Sequence, residues 1–295
     1  MDLKAETMGL AVTAELPMVV VDVQRAGPST GMPTKVEQSD LGAALYGRHG
    51  ECPLPVLAPS TPSDCFETMY EAFRIATTYM TPVIVLSDAY LANGAEPWRI
   101  PEEASWPKVI SAKKVDMDTF QPYARDPETL GRPWVVPGMA GFEHRLGGLE
   151  KTDGSGNISY DPLNHAQMVQ TRQNKVEAIK YSYPMTDVLG SKQGDYLVIG
   201  WGSTKGALLT AVQELQKDHS ISYVHLRYLN PLPQDLESVL KSFKHVMVVE
   251  MNSGQLRQLL RSRYLVDAKG FNKIQGQPFF VDELKKGLLE WMDRI

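Results

Sequence analysis

The side chains best suited to chemistry lie in one stretch, Val19 to Asp40, VVVDVQRAGPSTGMPTKVEQSD. The apolar run from Met18 to Val21 has the composition of a buried strand and stops at Asp22-Val23-Gln24-Arg25. A loop with two Gly, two Pro, two Thr and two Ser follows. Ligands of open α/β sheets bind beyond the carboxyl ends of the strands, which is where Arg25 falls. A planar guanidinium there can hold a carboxylate through two parallel hydrogen bonds, and a neighbouring hydroxyl can bond a keto oxygen. Plainer roles compete. Arg25 could pair with Asp22 or Asp40, and Ser29, Thr30 and Thr34 could bond their own turn backbone. Gln24 and Gln38 are open between lining a pocket and satisfying loop amides.

Other candidates are weaker. His49, in GRHGE, invites an acid–base role, but a loop histidine also serves structure or faces solvent. His165, His219 and His245 have no acids at ligand spacing, so no zinc site is expected. GWGSTKGA, Gly200 to Ala207, follows a strand and opens a helix, as phosphate loops do. It has neither the Walker spacing nor GxGxxG, so a tight strand-to-helix turn is expected. Glu250-Met251-Asn252-Ser253-Gly254 reads as another strand-end turn, suited to a subunit contact. Cys52 and Cys65 match no metal spacing and read as small buried hydrophobes.

The elements that must position these residues alternate. A helical stripe over 3–15 feeds the strand from Met18 to Val23. A short helix over Leu41 to Tyr46 and a strand over Pro55 to Ala58 follow. Ser63 is placed to cap a helix running to Tyr79, and Val83 to Leu86 is a strand, which completes a βαβ unit. Residues 95–165 are interrupted by Pro97, Pro101, Pro107, Pro122, Pro127, Pro133 and Pro137. Trp98, Trp106 and Trp134 argue that this segment packs over the first domain rather than trailing as a linker. A long helix over Pro162 to Tyr181 should present Arg172, Lys175, Glu177 and Lys180 as a solvated face. Strands at Tyr196–Gly200, Ser222–Leu226 and His245–Glu250 alternate with helices at Ala207–Gln216, Gln234–Ser242 and Gly254–Arg263, the pattern of a parallel sheet.

Composition sets limits. The chain has 295 residues, 43% hydrophobic and 22% charged, enough for one large or two ordinary domains. A net charge of −5 with no Lys/Arg run gives no support to nucleic-acid binding. No apolar segment is long enough to span a bilayer, and Asp2 and Glu6 stand where a signal peptide would be basic. Two cysteines cannot hold a four-cysteine cluster. They suit a reducing cytoplasm.

QRAGPSTGMPTKVEQSDL, Gln24 to Leu41, resembles the alpha subunit of 2-oxoacid:ferredoxin oxidoreductases, most closely the 2-oxoglutarate type. GRHGECP (Gly47 to Pro53), LAPSTPSDCFE (Leu57 to Glu67), VIVLSDAYL (Val83 to Leu91) and EMNSGQL (Glu250 to Leu256) extend the resemblance along nearly the whole chain. It implies an α/β fold made of a partial thiamine-diphosphate pyrimidine-binding domain (1–94), an irregular connecting segment with a long helix (95–190), and a transketolase C-terminal-like parallel-sheet domain (191–295). It implies oxidative decarboxylation of a 2-oxoacid, 2-oxoglutarate first, to an acyl-coenzyme A with reduction of ferredoxin. Arg25 matches the family arginine for the oxoacid carboxylate, and Thr34 a threonine of the same pocket. Gln24, Ser29, Thr30 and His49 are further pocket candidates.

No catalytic residue and no metal ligand are assigned to this chain. Thiamine diphosphate and magnesium are expected at an interface with a beta subunit, with iron–sulfur on that partner only and nothing bound to this chain alone. The family's upstream YPITP-like loop and cofactor-protonating glutamate are not found, and Glu37 and Glu51 do not inherit that role. An N-terminally incomplete subunit, inactive alone, is therefore expected. Alternatives are an enzyme for pyruvate or branched-chain 2-oxoacids, or a non-catalytic module binding a carboxylate or a protein partner.

Overall fold

A computed structural model describes residues 2–102, 106, 109 and 115–295. Pro107 of the proline series lies outside the described residues. The first half runs α1 (Ala5–Ala14), β1 (Met18–Gln24), α2 (Leu41–Tyr46), β2 (Val56–Leu57), α3 (Asp64–Tyr79), β3 (Pro82–Asp88) and α4 (Ala89–Asn93). After the irregular segment come α5 (Pro162–Ala178), β4 (Val188–Leu189), β5 (Gly194–Trp201), α6 (Lys205–Leu215), β6 (Ile221–Leu226) and β7 (Tyr228–Asn230). The chain continues with α7 (Leu236–Lys241), β8 (Phe243–Glu250), α8 (Gln255–Tyr264), β9 (Lys269–Asn272) and α9 (Val281–Asp293).

Two sheets form, in the orders β1-β3-β2-β7 and β4-β6-β5-β8-β9. In the first, β1 pairs in parallel with β3 from Met18↔Pro82 to Gln24↔Asp88, so the two strands end level. Every residue of β3 is buried, as a central parallel strand covered on both faces should be. In the second sheet β5 lies between β6 and β8, parallel to both. The fold is α/β with parallel sheets, as the alternation of patterns implies.

The halves interlock. β7 follows β6 in sequence, yet it pairs antiparallel with β2 and forms an edge of the first sheet. One apolar cluster joins Val56, Ile84 and Leu86 of the first sheet to Ile199, Trp201 and Val248 of the second, with Leu256 and Leu260 of α8. On the other face of the second sheet, Leu208 and Val212 of α6 pack with Leu284, Leu288 and Trp291 of α9. The apolar positions of α9 recur at helical spacing.

Local details depart from expectation. Ser63 makes no side-chain cap to α3. Thr61 Oγ1 accepts from Asp64 N instead at 3.2 Å, because the turn tightens before Asp64. Arg172 and Lys175 do not lie on a solvated face: they are 6% and 2% exposed. The Lys175 ammonium meets Glu15 Oε2 at 2.5 Å and the Met80 carbonyl at 3.1 Å. Arg125 grips the same Glu15 carboxylate with both terminal nitrogens, at 2.8 and 2.7 Å. Glu150 takes Arg172 at 3.1 Å and His165 at 2.7 Å.

The irregular segment is thus fastened to the end of α1, where Glu15 caps the helix at φ 54°. Arg132 Nε donates to the Glu15 carbonyl at 3.0 Å and fully buried Tyr123 donates to the Ala14 carbonyl at 3.3 Å. Packing of this segment over the first half is what the tryptophans implied.

Burial pushes the Glu15 carboxyl up, but the charges of Lys175 and Arg125 outweigh it and hold the pKa down at about 2. A folded pKa below the ordinary 4.5 stabilises the fold above pH 4.5 and is lost as pH falls toward 2. Glu15→Gln is expected to cost about 3 to 5 kcal/mol at neutral pH, because it strands a buried ammonium, and to flatten the stability profile between those pH values. Urea titrations across pH check this, and a variant with the parent's midpoint at pH 7 would refute it.

Candidate functional site

The site is built at the carboxyl ends of β1 and β3. Gln24, the last residue of β1, is 1% exposed. Its Nε2 donates to the Ser87 carbonyl at 3.0 Å and its Oε1 accepts from Asp40 N at 3.0 Å. Gln24 therefore lies inside the fold as a brace between β3 and the start of α2, and its amide is not offered to a pocket.

Arg25 follows and is exposed. Its Nη2 donates to the Ser29 carbonyl through a long hydrogen bond of 3.4 Å.

The loop beyond is closed on itself. Ala26 N donates to the Lys35 carbonyl at 2.9 Å, Met32 N to the Ala26 carbonyl at 3.1 Å, and Lys35 N to the Met32 carbonyl at 3.2 Å. Gly31, at φ +46°, sits where a Cβ would collide with the Ala26 carbonyl. Ser29 and Thr34 adopt left-handed φ of 51° and 64° without being glycine, a conformation that costs free energy and clusters at functional sites. Closure returns Thr34 to the stem, one residue from the Ala26–Lys35 bond. Ser29, Thr30 and Thr34 are all exposed. The structure thus gathers Arg25, Ser29, Thr30 and Thr34 on one solvent-facing loop.

His49 is elsewhere. It faces a cleft of 610 Å³ between α1 and α5, with Glu51, Glu150, His165 and Arg172. No residue of 25–34 lines that cleft.

The far side of the loop binds the second sheet. Gln38 is fully buried. Its Nε2 donates to the Trp201 carbonyl at 2.7 Å, and its Oε1 accepts from Met251 N at 2.8 Å. Its backbone N–H donates to the Met251 carbonyl at 3.0 Å and its carbonyl accepts from Asn252 Nδ2 at 2.9 Å. Gln255 Nε2 donates to the Ser39 carbonyl at 2.9 Å while its Oε1 accepts from Gly42 N at 2.7 Å. The Glu250–Gly254 turn, expected at a subunit contact, spends these groups within its own chain.

The GWGSTKGA segment makes a tight turn. Gly202, at φ +59°, leaves room for Gln38, whose Nε2 a Cβ would approach to 2.7 Å. Ser203 donates to Asp88, and burial raises the Asp88 carboxyl against this bond and the α4 amides. Glu250 is likewise raised by burial while capping α8. Sequence reasoning left Gln38 open and missed Gln255. Neither stands out, because a polar residue in a polar string carries no periodic signal. Among the described residues no three His, Cys, Asp or Glu side chains converge to hold a metal ion. No helix of the described residues is long and apolar enough to cross a membrane.

Comparison with known proteins follows this geometry. A family model described as "Pyruvate flavodoxin/ferredoxin oxidoreductase, thiamine diP-bdg" matches residues 1–160. The 2-oxoglutarate oxidoreductase subunit KorA of Mycobacterium tuberculosis is 50% identical over 96% of this chain and 43% of its own length. The 2-oxoglutarate synthase subunit KorA of Methanocaldococcus jannaschii is 31% identical over 86% of this chain and 68% of its own. Among solved structures, the 2-oxoglutarate:ferredoxin oxidoreductase from Magnetococcus marinus, with 2-oxoglutarate, coenzyme A and succinyl-CoA bound, superimposes with a TM-score of 0.93. It is 32% identical, over 98% of this chain and 51% of that one. The chain thus spans about half the length, or less, of the Magnetococcus and Mycobacterium proteins.

Gln38→Leu keeps the volume but leaves the Met251 amide without its acceptor, while the Trp201 carbonyl keeps only the Thr204 hydroxyl at 2.8 Å. A stranded buried group costs about 1 to 3 kcal/mol, so a loss of about 1 to 3 kcal/mol is expected. Thermal unfolding reads it, and a melting temperature equal to the parent's excludes Gln38 as the bolt between the sheets.

Proposed function

The chain belongs to the pyruvate flavodoxin/ferredoxin oxidoreductase family, and from that premise we propose that it is the alpha subunit of a 2-oxoglutarate:ferredoxin oxidoreductase. The complex oxidatively decarboxylates 2-oxoglutarate to succinyl-coenzyme A and reduces ferredoxin. The reading is supported by what the relatives are called and by the ligands named for the Magnetococcus structure.

The cofactor of such chemistry is thiamine diphosphate, which accepts the electron pair left by decarboxylation. The described residues offer no converging metal ligands, and the sequence holds no Gly-Asp-Gly followed by an Asn pair. They do not fit the diphosphate and its magnesium. In this reading a beta subunit completes that site at an interface and carries the iron–sulfur cluster, and ferredoxin and coenzyme A meet the whole complex. Both cysteines are free, as a reducing cytoplasm would keep them.

The chain's own work is to hold the substrate. Residues 1–94 present the loop, 95–190 strap over that half, and 191–295 support the loop from behind. One observation carries the assignment: an exposed guanidinium just past the carboxyl end of β1, whose Nη2 donates at 3.4 Å to a neutral carbonyl, that of Ser29. The planar fork of such a group matches a carboxylate through two parallel hydrogen bonds. Thr34, at the stem, supplies a hydroxyl for the keto oxygen. Holding the oxoacid in one orientation lowers the entropy cost of the reaction.

In the reconstituted complex, Arg25→Ala is expected to raise KM for 2-oxoglutarate and lower kcat/KM at least tenfold, about 1.4 kcal/mol. Arg25→Lys should also impair it, because the planar fork is lost. Parent-like kcat/KM in Arg25→Ala removes the carboxylate role. A substrate panel that turns over pyruvate or branched-chain 2-oxoacids in preference to 2-oxoglutarate reassigns the substrate. A chain that binds a carboxylate tightly and recruits no cluster-bearing subunit is a binding module instead.

A further inference from the structure

The Arg25 side chain is exposed while its backbone is clamped. The residue before it is braced through Gln24 to Ser87 and Asp40. The residue after it is closed onto Lys35. Its own carbonyl accepts from Ser39 Oγ at 3.0 Å. Ser39 is in turn held from the second sheet, because its carbonyl accepts from Gln255 Nε2 at 2.9 Å. The other end of the Gln255 amide fixes Gly42 N at 2.7 Å. Gln255 is the first residue of α8, and Asn252 Oδ1 accepts from its backbone N–H at 3.0 Å. An unbroken series of hydrogen bonds therefore runs from α8 through Ser39 to the Arg25 backbone.

We infer that Ser39 and Gln255 are positioning residues for Arg25, through which the second sheet sets where the substrate carboxylate is held. The inference rests on the carboxylate role proposed above. A long side chain sweeps a volume centred on its Cα, so fixing the Cα fixes the reach of the guanidinium while its rotamers stay free. Loop closure does not need Ser39, since the Ala26–Lys35 bond already makes it. The Ser39 hydroxyl is spent on Arg25 alone among the described residues. Neither residue touches substrate in this scheme, so both act on binding more than on turnover.

The test uses the whole reconstituted complex with 2-oxoglutarate as the varied substrate. Ser39→Ala should raise KM about threefold or more and leave kcat within about twofold. Its melting temperature should stay close to the parent's, because one exposed hydrogen bond has a small net worth. Ser39→Thr, which keeps the hydroxyl, should recover the parent KM. Gln255→Leu should shift KM in the same direction and also lower the melting temperature.

The decisive arm is a double-mutant cycle. If Ser39 acts through Arg25, Ser39→Ala adds nothing to KM in an Arg25→Ala background. A full additive effect there overturns the relay and leaves the carboxylate role standing, and an unchanged KM in Ser39→Ala overturns it as well. A parent-like KM in Arg25→Ala itself removes the carboxylate role, and the relay falls with it.

Discussion

The structure depends on Gln38. β5 continues into α6 on one face of the second sheet, and β8 into α8 on the other. Between the carboxyl ends of two such strands an open sheet leaves a crevice, and ligands of α/β folds commonly occupy it. Here the crevice is filled from within the chain. The Gln38 amide bridges the Trp201 carbonyl at the end of β5 and the Met251 amide just past β8. The second sheet thus gives its natural ligand position to a loop that ends the first sheet. What it supports there is the back of the loop whose front carries Arg25.

Such a joint is polar throughout, and that has consequences. Gln38, Asn252, Asp88 and Glu250 are all almost fully buried, and each is satisfied by the turns around it. A satisfied buried network specifies one geometry, whereas a partly satisfied one costs more than an apolar contact. The joint therefore has few intermediate states. An apolar cluster behind it, from Ile84 to Val248, supplies the bulk of the burial. Apolar packing alone would allow the sheets to slide, and the hydrogen bonds remove that freedom.

Much of this was legible in the sequence, for physical reasons that also mark where legibility stops. Strands such as Met18–Val23 and helices such as Gly254–Arg263 were visible because their apolar spacing reports a buried face. The helix over Val281–Asp293 carried the same signal at Leu284, Leu288 and Trp291 and was overlooked. β7 could not be read, because three residues that cross to the other sheet have no period of their own. Lys175 read as solvated because charge type is local, while its partner Glu15 lies 160 residues away. The position of Arg25 just beyond a strand end was legible from the apolar run before it. Gln24 was not: its role as a brace is settled by Ser87 and Asp40, which only the fold brings near.

The loop joins two opposed demands. A carboxylate is held well only by a group whose position is settled before binding, since ordering it afterwards subtracts from affinity. Yet an arginine fixed by an internal acid is of no use to a substrate, because the acid must first be displaced. With Arg25 in its proposed role, the chain separates the two requirements along one residue. The backbone of Arg25 is ordered by neighbours on β3, on the loop itself and on the second sheet. The guanidinium donates through a long bond to the Ser29 carbonyl, a neutral acceptor that a carboxylate outcompetes on charge. The left-handed φ at Ser29 and Thr34 are the strain that this loop tolerates. They persist because the bonds at its base over-determine it.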